Sequence, residues 1–310
     1  TKEGVQNIIE GIWKKAYFTI ANANNIIVNI ESLTPDKFRD GQEEKNLIKG
    51  EALAIRAMMH FDMLRLFAPA PIVDDKKPHI PYLEDFPYYG GQPNETVDGV
   101  LQKTVRDLIE AKELIATYDT LDVDRRSNLS GYRRFQLSTG SSNAVAFYGY
   151  RGYRMNYIAV TGMLARVYNY WGKHAEAFAQ AKEASEFVSE KKSELVALSY
   201  SSGTQMQHDR KFSSDLIFCL SDINMTENYQ PFSTPTSNDY FNMNAKVIQF
   251  EGVPEADAGD NRLVYLVERN EKWGQVGFRP LKYLKLDNGN ETANKVADML
   301  PIMRLSEMHL

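Results

Sequence analysis

Cysteine is almost missing from this chain. Cys219 stands alone among 310 residues, so no internal disulfide can form. Its neighbours Leu216, Ile217, Phe218 and Leu220 are apolar, which predicts a buried, unreactive thiol. No apolar run reaches the ~18 residues that a membrane-spanning helix needs. No secretory leader opens the sequence. Basic charge is in deficit, with a net charge of −5, which argues against general binding to nucleic acid or to an anionic membrane. Motifs of bound chemistry are missing too. There is no His-Glu-x-x-His, no Gly-x-Ser-x-Gly, no P-loop and no dinucleotide glycine fingerprint. His60, His79, His174, His208 and His309 lack zinc-ligand spacing. No catalytic residue, metal or cofactor is therefore expected. The 41 acidic residues leave a glycosidase-type carboxylate pair open, but nothing in the sequence selects one.

Apolar periodicity is plentiful. Hydrophobic residues make up 43% of the chain, enough for a large core. Ile9, Ile12, Ala16, Ile20, Ala23, Ile27 and Ile30 recur every three or four residues, predicting a helix from Val5 to about Ser32. A loop with Pro35 and Gly41 follows, from Leu33 to Gln42. The stretch from Gly50 to Val73 then reads as a helix that is apolar nearly all round, hence buried. Leu53, Ala57, Phe61 and Leu64 form one face of it. Asp62 and Arg65, three apart, can pair on its surface. Pro69 and Pro71 end it. Residues 68–95 hold half of the 12 prolines and read as one long surface loop, a common place for function. Thr96 looks like an N-cap, opening a helix to about Ala116 with Leu101, Val105, Leu108 and Ile115 on its core face.

Residues 119–155 lose periodicity and mix Arg125, Arg126, Arg133, Arg134, Arg151 and Arg154 with tyrosines. Interleaved Arg and Tyr can stack on single-stranded nucleic acid, but the acidic balance speaks against it. A sugar-binding loop or ordinary loop packing fits better. From Asn156 to about Val188 a helical hairpin is expected, turning at Trp171-Gly172. Leu164, Ala165 and Tyr168, then Ala177, Ala181 and Ala184, match large and small positions of a tetratricopeptide repeat, with Thr161 where a tryptophan is usual. Beyond residue 195 the texture changes. Leu216–Leu220 reads as a buried strand and residues 222–262 as a loop-rich stretch. Leu263–Val267 is ambiguous between helix and strand. Ile302, Leu305 and Met308 begin what reads as a helical stripe. That stripe lacks a cap, and a helix of about ten residues is marginal unless packed. The native polypeptide is expected to continue beyond Leu310 and to precede Thr1.

Several of these stretches resemble the SusD/RagB family of outer-membrane nutrient-binding lipoproteins. The Gly50-Glu51-Ala52 opening, the Arg56-Ala57 step, Phe61-Asp62-Met63 and the Pro71-Ile72-Val73 exit resemble its hallmark helix. Ala68 stands where the family usually has glycine, so a left-handed cap is not expected there. Tyr17, Ile20, Ala23, Asn24, Ile26 and Ile27 resemble its first helix. The 154–184 hairpin and Leu300–Leu310 resemble later segments. Asn24 is read as a helix–helix hydrogen bond rather than a ligand contact, because buried polar groups need partners.

The fold expected is mostly α: tetratricopeptide-like hairpins with a loop-rich second region. It would be a single domain over 1–310, incomplete at both ends. The helical scaffold covers 1–190 and 300–310, and the ligand-side region about 195–299. The resemblance implies a cell-surface protein that binds an oligosaccharide or other nutrient and delivers it to a SusC-like TonB-dependent transporter, packing on that transporter as a lid. It also implies the outward-facing surface of the outer membrane, reached through a lipid anchor absent from this chain. No nucleic-acid partner is expected. A glycan surface needs flat aromatic faces near hydrogen-bonding groups. Candidates on loops are Tyr88, Tyr89, Tyr148, Tyr150 and Trp273, with parts of at least two loops meeting in space. Trp13 and Trp171 lie in helical patterns and are read as packing residues. The alternatives are a soluble tetratricopeptide scaffold for peptides, which needs a concave groove, and a glycoside hydrolase, which needs facing carboxylates.

Overall fold

The computed structural model describes residues 2–129, 131–136, 147–189, 208–234, 243–244, 265–272, 275–285 and 296–309. Two compact units result: Thr1–Glu190 with Leu305–Leu310, and Lys191–Arg304.

The first unit is helical. Helix α1 (Lys2–Glu31), α2 (Gly41–Phe67) and α3 (Val97–Asp119) pack in succession, and α3 leads to the hairpin α5 (Tyr157–Trp171) and α6 (His174–Ser189). A short helix, α4 (Val123–Ser127), follows α3. The expected stripes of α2 and α3 are buried, whereas the α1 stripe is buried only in its second half, Ile9 and Ile12 being exposed. Ile20, Ala23 and Ile30 of α1, Leu53, Ala57, Phe61 and Leu64 of α2, and Leu101, Val105, Leu108 and Ile115 of α3 form the core. Thr96 caps α3 by accepting from the Gly99 N–H at 3.1 Å. Asn156 caps α5 through Ala159 N at 2.9 Å, and Gly172 ends it in the left-handed region, φ +80°. The first turns of α2 and its last turn reach solvent, and in the last turn Asp62 accepts from Arg65 at 3.3 Å. Ala68 leaves that helix in extended conformation, without a left-handed cap.

Gly50 explains the small residue that opens the hallmark stretch. A Cβ there would lie 2.7 Å from Ile115 Cγ1 and 3.0 Å from the Ala111 carbonyl oxygen. Helices α2 and α3 therefore touch through bare backbone. Alanine favours helix over glycine by about 1 kcal/mol, yet overpacking costs about 1–3 kcal/mol, and a backbone oxygen cannot step aside. Gly50→Ala is expected to lower stability by a net ~1 kcal/mol, read as a fall in denaturation midpoint at constant slope.

Two stretches depart from the sequence reading. Residues 68–95 are not all surface loop. Strands β1 (Pro78–Pro81) and β2 (Asn94–Thr96) pair there as an antiparallel ribbon, and Ile80, Tyr82 and Leu83 are buried. Prolines suit such an edge, where no ladder N–H is asked of them. The stripe at Ile302, Leu305 and Met308 is not a helix. Residues Met299–Arg304 are a strand and Leu305–His309 a 3-10 turn.

The second unit has small sheets. Strand β3 (Leu216–Ser221) pairs antiparallel with Met299–Arg304, from Leu216 opposite Arg304 to Ser221 opposite Met299. Cys219 lies buried within it. Helix α7 (Met225–Ser233) follows. Strand β4 (Met243–Asn244) and β5 (Val267–Lys272) flank β6 (Gln275–Pro280), and Met299–Arg304 is β7. Of the expected 222–262 loops and the ambiguous Leu263–Val267 stretch, residues 235–242 and 245–264 lie outside the described residues. Lys211 is buried, its ammonium donating to the Ala297 and Met299 carbonyls and standing 4.3 Å over the Tyr283 ring.

Candidate functional site

Much of the polar core of the helical unit gathers in two networks, and each holds a loop that carries candidate aromatics. In the first, Asp107 of α3 is fully buried. Its Oδ2 accepts from Arg56 Nε of α2 at 2.6 Å and from the Tyr82 hydroxyl at 2.7 Å. Its Oδ1 accepts from Arg106. Arg56 also donates to Asn24 Oδ1 of α1 at 3.2 Å. Burial by itself would lower the pKa of Arg56, but the hydrogen bond and charge of Asp107 outweigh it and raise it. Asn24 in turn donates to the Leu83 carbonyl at 2.9 Å and to the Asp85 carbonyl at 3.5 Å. Asn24 is thus a buried structural contact between α1, α2 and the loop.

His60 closes this network. Its ring stacks on Tyr82, centroids 3.8 Å apart. The Leu83 N–H donates to Nε2 at 3.0 Å, so Nε2 must be unprotonated, and Nδ1–H donates to the Arg56 carbonyl at 2.9 Å. The histidine is neutral, and burial lowers its pKa from 6.5 to about 3. The unfolded chain therefore holds one more proton between pH 6.5 and 3. Stability is unaffected by this residue above pH 6.5 and falls as pH drops through that window. At pH 5 the loss is about 2 kcal/mol. Unfolding measured at pH 7.5 and pH 5.0 is expected to show a smaller acid loss for His60→Phe than for the wild type, by about that amount.

Above this base runs Glu84 to Pro93. Asp85 accepts from Gln92 across the loop. Gly90 and Gly91 turn the tip, with φ +89° and +85°. Tyr88 is half exposed and Tyr89 is 91% exposed, with Phe86 beside them. Among the described residues no aromatic ring or cation stacks on Tyr89. Tyr88 lies within electrostatic reach of Tyr17, whose phenol burial first and Tyr88 second push upward.

The second network holds residues 147–156. Arg151 is buried. Its Nε and Nη2 donate to the two oxygens of Asp119 at 3.0 and 2.8 Å, and Nη1 donates to Glu51. Arg154 donates to the other oxygen of Glu51 at 2.9 and 2.6 Å. Asp119 also accepts from Tyr157 N at 2.8 Å. These arginines are spent on the fold, as ordinary packing, and not on a ligand surface. Tyr148 stacks on Tyr118 at 4.5 Å and donates to Asp40. Its phenol is raised by burial and by that hydrogen bond. Tyr150 is half exposed, with a left-handed φ of +54°.

The two aromatic groups do not meet. Tyr148 touches Asp40, just before α2, whereas Tyr17, beside Tyr88, meets His60 at 6.0 Å between ring centroids. At 1.5 Å per residue those two points of α2 are about 30 Å apart. Trp273 lies outside the described residues. Trp13 packs on Tyr17 and Phe67, and Trp171 donates to Asp98 at 3.0 Å, as packing residues do.

The structure adds a concavity that the sequence did not announce. A groove of about 720 Å³ runs along the α5–α6 hairpin and the 305–309 turn, lined among others by Arg166, Asn169, His174, Phe178, Lys182 and Met308. Asp74, Asp75 and His79 bring donor atoms within 4.8 Å of one another. Lys76 already stands 3.0 Å from Asp74 and Lys77 3.6 Å from Asp75, so two ammonium groups offset the two carboxylates. No described helix is long and apolar enough to cross a membrane.

Residues 3–129 match a SusD-like family described as "Starch-binding associating with outer membrane". A search of curated proteins finds no match. Solved structures share the fold. A candidate sugar-binding protein of Bacteroides vulgatus ATCC 8482 has a TM-score of 0.65 at 23% identity, over 96% of this chain and 58% of that one. A SusD-like carbohydrate-binding protein of the same strain gives 0.61 at 18%, over 96% and 56%. A laminarin-binding SusD-like protein gives 0.53 at 14%, over 96% and 64%. At such identities the likeness is one of fold, and the chain spans less than two thirds of each of these proteins.

Proposed function

We propose that this chain is a SusD-like protein of the SusD/RagB family, a reading supported by the match over residues 3–129 and by the shared fold, and that it binds an oligosaccharide through the aromatic tip at Phe86–Gly91. The observation that carries this reading is an exposed pair, Tyr88 and Tyr89, on a loop whose base is fixed by a buried network. Sugar rings stack on flat aromatic faces, and loops held by a rigid scaffold are where recognition residues sit. Asp85, Gln92 and Glu84 supply hydrogen-bonding groups for hydroxyls beside that tip. That a neighbour of the same fold is named as laminarin-binding supports a glycan as ligand class. Tyr150, with Tyr148 behind it, is a separate aromatic contact at the far end of α2, and Trp273 belongs to the same proposal.

The role is binding rather than catalysis. Asp107 and Asp119 accept from arginines on both oxygens, which commits these carboxylates to holding the fold. The partner is a TonB-dependent outer-membrane transporter, on which the protein closes as a lid to trap its ligand. The place of work is the outward surface of the outer membrane. A lipid anchor is the family's means of attachment, and Cys219, buried in β3, is not that anchor.

Tyr89→Ala is expected to weaken binding by ~1–3 kcal/mol, the range of a key contact. Its thermal melt should stay near that of the wild type, because so exposed a side chain supports no core. Binding to an immobilised panel of oligosaccharides that includes laminarin, beside thermal melts, measures both. Full binding with a lowered melt contradicts the assignment. A second reading, a tetratricopeptide scaffold for peptides, draws on the groove along α5 and α6. It predicts that Phe178→Ala, and not Tyr89→Ala, removes ligand.

A further inference from the structure

Resting on the reading of the tip as a glycan platform, we infer that Asn24 and His60 are positioning residues that preform this tip by holding both backbone polar groups of one residue, Leu83. Leu83 is the last buried residue before the exposed loop. Its N–H donates to His60 Nε2 at 3.0 Å and its carbonyl accepts from Asn24 Nδ2 at 2.9 Å. The same Asn24 nitrogen reaches the Asp85 carbonyl. Three residues within the four from 82 to 85 are thereby fixed, since Tyr82 is stacked on His60 and donates to Asp107. From Phe86 onward the main tie described across the loop is Gln92 to Asp85. The direction in which Tyr88 and Tyr89 leave the scaffold is set at Leu83.

The helices do not need this arrangement for themselves. An asparagine facing Arg56 could equally be an acid, which pairs better with a guanidinium. An acid lacks the N–H that two loop carbonyls use. A histidine stacked on Tyr82 could equally be a phenylalanine, which lacks an acceptor for Leu83. Both residue types at these positions are explained by what the loop backbone requires. Ordering a loop before the ligand arrives removes the entropic cost of ordering it on binding, so the clamp acts on affinity without touching sugar.

Asn24→Asp isolates the clamp, because it keeps an oxygen toward Arg56 and deletes the donor to Leu83 and Asp85. His60→Phe keeps the ring against Tyr82 and deletes the acceptor. Amide exchange of the ligand-free protein is the first readout. Exchange over residues 83–92 is expected to quicken by about tenfold or more in either variant, while the amides of α2 and α3 keep their protection. Unchanged exchange in the loop overturns the inference. On the oligosaccharide panel, Asn24→Asp should weaken the signals that Tyr89→Ala weakens. A loosened loop that binds as the wild type does overturns the positioning role. The double variant Tyr88→Ala, Tyr89→Ala separates this from the parent reading: if it binds fully, the tip is not the glycan site, and the exchange result still decides whether Leu83 is clamped.

Discussion

Arg56→Ala is expected to destabilise the helical unit by about 3–5 kcal/mol, the cost of breaking a buried ion pair by removing one partner. Asp107 is then left inside the core with Arg106 and Tyr82 as its remaining donors, and Arg106 is half exposed. Asn24 also loses its donor. The effect reaches three helices at once, because Arg56 of α2 bonds to Asn24 of α1 and to Asp107 of α3. A double-mutant cycle with Asp107→Ala checks the cause. Residues in one network couple by about 0.5–3 kcal/mol, so the double variant should be more stable than the sum of the singles predicts. Simple additivity would show that the two side chains act apart.

Asp119→Ala is expected to cost a similar ~3–5 kcal/mol. It strips two bonds from Arg151, which keeps only Glu51, and it orphans the Tyr157 N–H in the first turn of α5. Asp119→Asn should cost less, about 1–3 kcal/mol, since an amide oxygen can still accept from Tyr157 or Arg151. The segment that carries Tyr148 and Tyr150 hangs on this cluster. Denaturant unfolding should therefore rank wild type above Asp119→Asn above Asp119→Ala. An equal effect of both substitutions would mean that the charge, and not the hydrogen-bonding geometry, is what matters.

The sequence was legible where a rule is local. The isoleucine stripe of α1, the Thr96 and Asn156 caps and the Gly172 turn each depend on residues within a few positions. It was illegible where partners are distant. Arg151 looked like one more cation in a polar stretch, yet its acceptors are 32 and 100 residues away. Nothing in the local pattern says which arginine meets which carboxylate. The same holds for Gly50, whose reason is the backbone of α3. At Ile302, Leu305 and Met308 a local rule misled. Their spacing suits a helix, but β3 offers an edge, and pairing with it won over local periodicity. Of the candidate site, the tyrosines of the 68–95 loop were readable as exposed aromatics beside glycines. The clamp beneath them was not, because Asn24, His60 and Leu83 belong to three separate segments and meet only in the fold.

The central claim is that an aromatic tip held on a buried polar base receives the sugar, and locating a bound oligosaccharide on the protein tests it most directly. With the tyrosines labelled with nitrogen-15, titration with the panel's best-binding oligosaccharide should shift the amide signals of Tyr88 and Tyr89 in saturable fashion. The signals of buried Tyr82 and of Tyr168 and Tyr170, in the α5–α6 hairpin, should hold still. Saturable shifts confined to Tyr168 and Tyr170, with Tyr88 and Tyr89 unmoved, would contradict the account and place the ligand on the hairpin instead.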